Sequence, residues 1–182
     1  LATIAVDEPT LSMSFMANNS PGYGTEGKYS TNRQLRDRLM RELERDVALR
    51  VEDTQSSDTF RVSGRGILHL SILMETMRRE GFEFMVGQPQ VIYREIDGKK
   101  AEPVEELTVD VPDEHAGTVI EYAAQRKGEM VEMNPREGRT RLRFRIPSRG
   151  LIGFRSRMLK ATAGEIVMHH RFFQYEYFKG SI

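Results

Sequence analysis

Cysteine is absent from all 182 residues, which excludes disulfides, cysteine-ligated zinc and thiol catalysis and fits a reducing compartment. No apolar run approaches the roughly 20 residues that a membrane helix needs, and no basic-then-apolar leader opens the chain. The cytoplasm is therefore the expected location, with no membrane partner. Histidine is scarce: His69, His115, His169 and His170 show neither H-x-x-x-H nor H-E-x-x-H spacing, so no metal centre of that type is expected. Net charge is absent too. The 27 basic and 27 acidic residues cancel, and the whole-chain value singles out no class of partner.

What is present suits a globular protein, with 38% apolar and 30% charged residues. The length allows one large domain or two small ones. The chain opens on Leu1 in mid-pattern, which suggests a piece of a longer protein. Its two halves differ in charge. Residues 1–98 carry 12 Lys+Arg against 15 Asp+Glu, and residues 99–182 carry 15 against 12.

The hydrophobic pattern is written twice. Leu11, Met13, Phe15 and Ala17 alternate with polar neighbours as a half-buried strand. A polar, glycine-rich loop over 19–30 follows. Ser30 or Thr31 then caps a helix with the stripe Leu35, Leu39, Leu43 and Val47. Residues 49–53 and 59–63 read as a hairpin, residues 66–80 as a helix stopped by Gly81, and Phe82 to Tyr93 as a last extended stretch. The same order returns: strand 107–111, a helix that Asp113 is placed to cap, hairpin 130–134 with 141–146, helix 150–163 and strand 166–175. Arg61–Leu70 and Arg145–Phe154 also align at an offset of 84, sharing Arg, Arg-Gly and an aliphatic pair. Two βαββαβ units predict an α+β protein of two tandem ferredoxin-like sandwiches, each a four-stranded antiparallel sheet with two helices on one face. The expected domains are 1–97 and 98–182, with Asp97-Gly98-Lys99-Lys100 as linker. The sheet faces left uncovered are expected to serve as interface.

Gly22-Tyr23-Gly24-Thr25-Glu26-Gly27-Lys28 satisfies both G-x-G-x-x-G and the G-x-x-x-x-G-K part of a P-loop. Tyr29 follows where a magnesium-ligating hydroxyl belongs, the loop is long, and the strands after it form a hairpin rather than a parallel crossover. Nucleotide binding is therefore not expected there, and no catalytic constellation appears elsewhere. In a strand, His169 and His170 point to opposite faces, which is poor metal geometry. His69 reads as a packing or hydrogen-bonding helix residue.

From Arg139 to Lys160 there are eight basic residues and no acidic one. Arg139, Arg141, Arg143 and Arg145 alternate with Thr140, Leu142, Phe144 and Ile146, which places four guanidinium groups on one face of a strand. Arg149, Arg155, Arg157 and Lys160 continue the run. Such a row repels itself unless an anion lies opposite, and RNA phosphate is the natural candidate. Cross-strand pairing with Glu129 and Glu132 is the competing reading. No aromatic pair of the kind that stacks bases on RRM strands is evident, so backbone and shape recognition are favoured.

Several motifs carry a resemblance. Arg61-Val62-Ser63-Gly64-Arg65-Gly66 with Leu68-His69-Leu70 resembles the strand-to-helix signature in domain three of elongation factor G-like proteins, with Ile67 where the family commonly has Glu. Glu102-Pro103, Val109–Pro112, Glu114, Gly117 and Arg126-Lys127-Gly128 resemble the opening of domain five. The run Ile146–Ser156, with Pro21, Glu26–Tyr29, Thr31 and Arg33, looks specifically like the BipA/TypA family of ribosome-associated translational GTPases. The resemblance covers nearly the whole chain. It implies a portion that contacts rRNA of both subunits and ribosomal proteins, with roles in ribosome assembly, translation and stress adaptation. It also implies a GTPase domain elsewhere in the same parent chain, holding GTP and magnesium, so that this stretch has no catalytic or cofactor site of its own. Lys28, Arg33, Arg65 and His69 are then expected to make ribosome or interdomain contacts. A protein–protein module without RNA contact remains the alternative.

Overall fold

A computed structural model describes residues 8–17 and 28–182. The chain divides into two compact units, Leu1–Ile92 and Tyr93–Ile182. The first runs β1 (Leu11–Ala17), α1 (Asn32–Leu43), β2 (Arg50–Asp53), β3 (Thr59–Gly64), α2 (Ile67–Arg79), β4 (Phe84–Val86) and β5 (Gln90–Val91). Its antiparallel strands lie in the order β2-β3-β1-β4, with β5 also on β1. The second unit runs β6 (Arg94–Ile96), β7 (Lys99–Pro112), α3 (Asp113–Gln125), β8 (Glu129–Arg136), β9 (Arg139–Pro147), a 3-10 turn (Ser148–Leu151), α4 (Phe154–Ala161) and β10 (Val167–Tyr177). The order is β10-β7-β9-β8, with β6 on the remaining part of β7. Each unit thus has the ferredoxin-like arrangement expected from the repeated pattern.

The two-residue period decides which side of each sheet is buried. In β1, Leu11, Met13, Phe15 and Ala17 are buried, whereas Ser12, Ser14 and Met16 are half-exposed. Leu35 and Leu39 of α1 and Leu70, Leu73 and Met77 of α2 close over that face, and Phe15 stacks on Phe84 at 5.3 Å. In the second unit Leu107, Val109, Val111, Leu142, Phe144 and Ile146 meet Val119, Ala123, Phe154 and Met158. Each fully buried side chain of this size is worth roughly 1.5–3 kcal/mol. Among the described residues, the helices of each unit pack on this one face of its sheet.

α1 begins with a capping box. Thr31 Oγ1 accepts the Gln34 N–H at 3.2 Å, and Gln34 Oε1 accepts the Thr31 N–H at 3.1 Å. Arg38 and Glu83 are the charged residues buried in the first unit among the described residues. Arg38 is 2% exposed, and its guanidinium donates to Glu80 at 2.6 Å and to Glu42 at 2.8 Å, tying α1 to the end of α2.

Four local expectations differ from the structure. α1 stops at Leu43, and Val47 lies beyond it in a turn, 88% exposed. Asp113 is the first helical residue rather than the cap, and its carboxylate accepts the Thr140 hydroxyl at 2.7 Å. The helix expected over 150–163 is split, because Gly153 adopts φ 76° and separates the 3-10 turn from α4. The Asp97-Gly98 stretch is the turn of the β6–β7 hairpin and not a linker. Both residues take positive φ, 52° and 76°, as a tight hairpin requires, and the chain passes between units at Ile92/Tyr93.

Candidate nucleic-acid interface

The open face of the second sheet is built from register. β9 lies between β7 and β8, so each of its outward arginines has a neighbour on both sides. Arg141 stands between Asp110 and Asn134, Arg143 between Thr108 and Glu132, and Arg145 between Glu106 and Glu129. β10 adds a fourth column, with Val167 beside Asp110, His169 beside Thr108 and Arg171 beside Glu106. Alternation holds Leu142, Phe144 and Ile146 in the core and the arginines outside.

The row is partly neutralised from within. Arg143 donates to Glu132 at 2.7 Å, Arg139 to the Asp110 carboxylate, and Arg171 to Glu106 at 3.1 Å. Arg145 is held differently: its guanidinium lies 4.5 Å from the centre of the Phe173 ring, and its Nε is buried without a hydrogen-bond partner. Arg141 is exposed and, among the described residues, has no carboxylate within ion-pair distance. It sits between two concavities. One of about 430 Å³ is lined by Asp110, Glu132, Asn134, Arg136, Arg139 and Arg143. The other, of about 340 Å³, is lined by Glu106, Thr108, Arg143, His169 and Arg171. Arg141 lines both.

The rest of the basic run divides. Arg149 is turned inward, 14% exposed on its side chain, and pairs with the fully buried Glu102. Its Nη2 lies 3.1 Å from Glu102 Oε2 and 2.6 Å from the Gly180 carbonyl. Arg126 anchors the same turn by donating to the carbonyls of Arg149 and Gly150, each at 3.1 Å. Gly150 is required there, since a Cβ would lie 2.6 Å from the Arg126 carbonyl oxygen. On α4, Arg155 reaches the Met168 carbonyl at 3.3 Å and Arg157 covers the Tyr122 ring at 4.7 Å. Lys160 is exposed. The open face therefore holds Arg139, Arg141, Arg143 and Arg145 together; Arg155, Arg157 and Lys160 lie apart from it on α4, which packs on the core side of the sheet, and Arg149 is a buried tie. Arg171 and Arg136 join the face from β10 and β8. The first lies beyond Glu165, outside the acid-free window, although the alternation Val167, His169, Arg171 could have placed it.

In the first unit, Gly22–Gly27 lies outside the described residues. Lys28 is exposed, with its ammonium 6.0 Å from the Tyr29 ring centre, and Arg33 is exposed on α1. His69 Nδ1 accepts the Arg65 N–H at 3.1 Å while Nε2 bonds to Asp46. Through these two bonds the ring ties the turn after α1 to the start of α2. In the second unit His170 is buried against Glu105 at 2.8 Å, while His169 is exposed on the other face. His115 lies 3.7 Å from Glu114 and 3.9 Å from Glu165. The positive end of α3 opposes a cation at that place.

The perturbed ionisations belong to the Arg38 cluster. Hydrogen bonds from Arg38 lower Glu80 against the opposing effect of burial. For Glu42 burial pushes upward, and the hydrogen bonds from Arg38 and Arg45 with their positive charges outweigh it, leaving this carboxyl lowered. Both are structural groups.

Among known families, "Elongation factor G C-terminus" matches residues 99–182, the span from the start of β7 to the end of the chain. The chain is also similar along its length to proteins named "Large ribosomal subunit assembly factor BipA". The Synechocystis protein is 57% identical over 183 positions, covering 100% of this chain and 31% of the relative. The Escherichia coli K12 protein is 54% identical over 177 positions, 97% of this chain and 29% of the relative. The Haemophilus influenzae protein is 54% identical over 181 positions, 99% and 29%. The chain spans under a third of the length of these relatives.

Proposed function

From the premise that the chain belongs to the BipA family of elongation factor G-like proteins, we propose that it is the ribosome-contacting portion of a large-subunit assembly factor. The open face of its second unit engages rRNA phosphates. The observation that carries this reading is Arg141, exposed between two concavities and among the described residues lacking a carboxylate partner. Three further arginines surround it; the Arg139–Asp110 and Arg143–Glu132 pairs are solvent-exposed, and exposed Arg171 reaches a half-buried Glu106. Exposed pairs contribute little, about 0–1 kcal/mol, so a phosphate can replace a carboxylate with small loss. Arginine suits this exchange because its planar fork binds phosphate oxygens in pairs.

Ribosomal proteins, and a GTPase domain of the same parent chain, are proposed as further partners, with Lys28, Arg33, Arg65 and His69 on the first unit's side. GTP, magnesium and hydrolysis are proposed to lie outside this chain, which is itself proposed to be non-enzymatic. Co-sedimentation of the chain with large ribosomal subunits, before and after ribonuclease treatment, tests the central reading. Binding lost with the RNA supports it, and undiminished binding after complete digestion refutes it.

A second reading, protein–protein contact, is favoured by the edge strand β8. Met130, Val131 and Met133 are 44%, 40% and 50% exposed there, an apolar strip beside unpaired backbone groups. Binding through that strip would survive ribonuclease and depend little on salt.

A further inference from the structure

The open face does not end at the arginines. β7 runs from Lys99 to Pro112, and by the two-residue period Lys100 and Glu102 fall on the side of Glu106, Thr108 and Asp110; there the last residues of the chain lie over the buried Glu102 and leave Lys100 exposed. At that far end a second cluster gathers. The Lys100 ammonium lies 4.1 Å from the centre of the Tyr93 ring and 4.3 Å from that of Phe178, and the two rings meet edge to face at 5.9 Å. Arg149 covers Phe178 at 4.4 Å. Tyr93 is 41% and Phe178 36% exposed.

Two large rings this open to solvent leave apolar area in water, yet the cations beside them are poor neighbours for an apolar protein patch. Rings interleaved with cations on an exposed face instead match a nucleobase, which offers a π-surface, joined to a phosphate. Two other carboxylates lie nearby: Glu95 stands in register with Lys100, and Glu176, in register with Glu102, pairs with Lys179 at 3.3 Å; Glu102 is already held by Arg149 and by the Lys179 N–H at 2.8 Å.

We propose that Tyr93 and Phe178 form a stacking station for an unpaired nucleotide of an RNA single strand whose phosphates lie on the arginine face. The inference rests on the function proposed above and names its ligand as single-stranded, where the arginines alone would accept a duplex. Thr108 and Lys100 are eight residues apart on one strand, about 26 Å, so a short strand spans both ends. The sequence hides the pair because Tyr93 and Phe178 are 85 positions apart and lie outside the strands Arg94–Ile96 and Val167–Tyr177.

The test uses the full 182-residue chain with single-stranded RNA of roughly 12 nucleotides carrying 5-iodouridine, beside the matching duplex. Ultraviolet cross-linking followed by peptide mass spectrometry is expected to place the adduct on Tyr93 or Phe178 with the single strand alone. Tyr93→Leu and Phe178→Leu keep apolar bulk and remove the π-face. Each is expected to weaken single-strand binding roughly 5- to 100-fold while leaving the salt slope unchanged, and Tyr93→Phe is expected to bind as the parent does. Thermal melting of each variant identifies any that has unfolded, and the cross-link on the unaltered chain decides without them. RNA binding with a normal salt slope but no adduct at these rings, or unaltered affinity in folded leucine variants, overturns the stacking station alone. No salt-dependent RNA binding by the parent chain overturns the arginine face as well. Capture of a ribosomal protein by the rings with no RNA adduct assigns the patch to protein and also overturns the proposal.

Discussion

Arg141 of β9 stands directly opposite Asn134 of β8, whereas Arg143, in the next outward position, stands opposite Glu132 and bonds to it at 2.7 Å. The neighbour of Arg141 on β7, Asp110, bonds to Arg139 instead, so the neutral Asn134 leaves Arg141, among the described residues, without a carboxylate. The two positions should therefore respond differently to the same ligand. Arg141→Ala removes a cation that gives up no internal bond on meeting phosphate, while Arg143→Ala removes one that must first leave Glu132. Arg141→Ala is expected to cost more RNA affinity than Arg143→Ala. Glu132→Gln should strengthen binding by releasing Arg143. Fluorescence anisotropy at fixed salt measures all three, and weaker binding by Glu132→Gln would contradict the arrangement.

Arg149 should behave unlike the rest of the basic run. Its removal leaves the fully buried Glu102 carboxylate, among the described residues, with the Lys179 N–H alone. A buried charge stripped of its partner costs about 3–5 kcal/mol, so Arg149→Ala should lower the melting temperature of the second unit substantially. Replacing both partners, Arg149→Met with Glu102→Leu, should recover most of that loss. Melting curves decide. A full-stability Arg149→Ala would mean that the pair bears no load.

Acid should loosen the first unit through Glu80 and Glu42. Both carboxyls are lowered in the folded state by Arg38, so the folded protein holds fewer protons than the unfolded chain near the ordinary glutamate value of 4.5. Stability from these groups is complete above that value and falls as pH drops through it toward the folded value. Glu80→Gln should be less stable than the parent at neutral pH, and the difference should shrink on acidification below 4.5. Chemical denaturation at several pH values gives the comparison. A difference that grows on acidification would reverse the sign of the linkage.

Two glycines allow opposite outcomes. Gly117 lies exposed within α3 with no atom within 4 Å of an added Cβ, so Gly117→Ala should stabilise by roughly 0.5–1 kcal/mol. Gly150→Ala should destabilise, because its Cβ would meet the Arg126 carbonyl and the Ile146 side chain. Equal effects at the two sites would show that the turn relaxes at no cost.

Periodicity made most of the fold legible. Alternation at Leu11–Ala17 and Arg139–Ile146 gave both strand and buried face, and the spacing of Leu35 and Leu39 gave α1. Reading failed where one residue interrupts a pattern. Val47 continues the helical stripe by spacing, yet the helix has ended. Gly153 breaks an otherwise helical run. Asp97-Gly98 looks like a linker because hairpin turns use the same residues. The arginine row was legible because its period is local. Its partners Asp110 and Glu106, and the rings Tyr93 and Phe178, are brought in by long-range register, which no local period encodes.

The measurement that bears most directly on the RNA-contact account is the slope of log affinity against log salt for single-stranded RNA, for the parent chain and for Arg141→Ala with Arg143→Ala. Each phosphate contact removed should flatten the slope by about 0.7, so the double variant should lie roughly 1.4 units below the parent. Identical slopes, with both proteins folded, would contradict phosphate contact by this face.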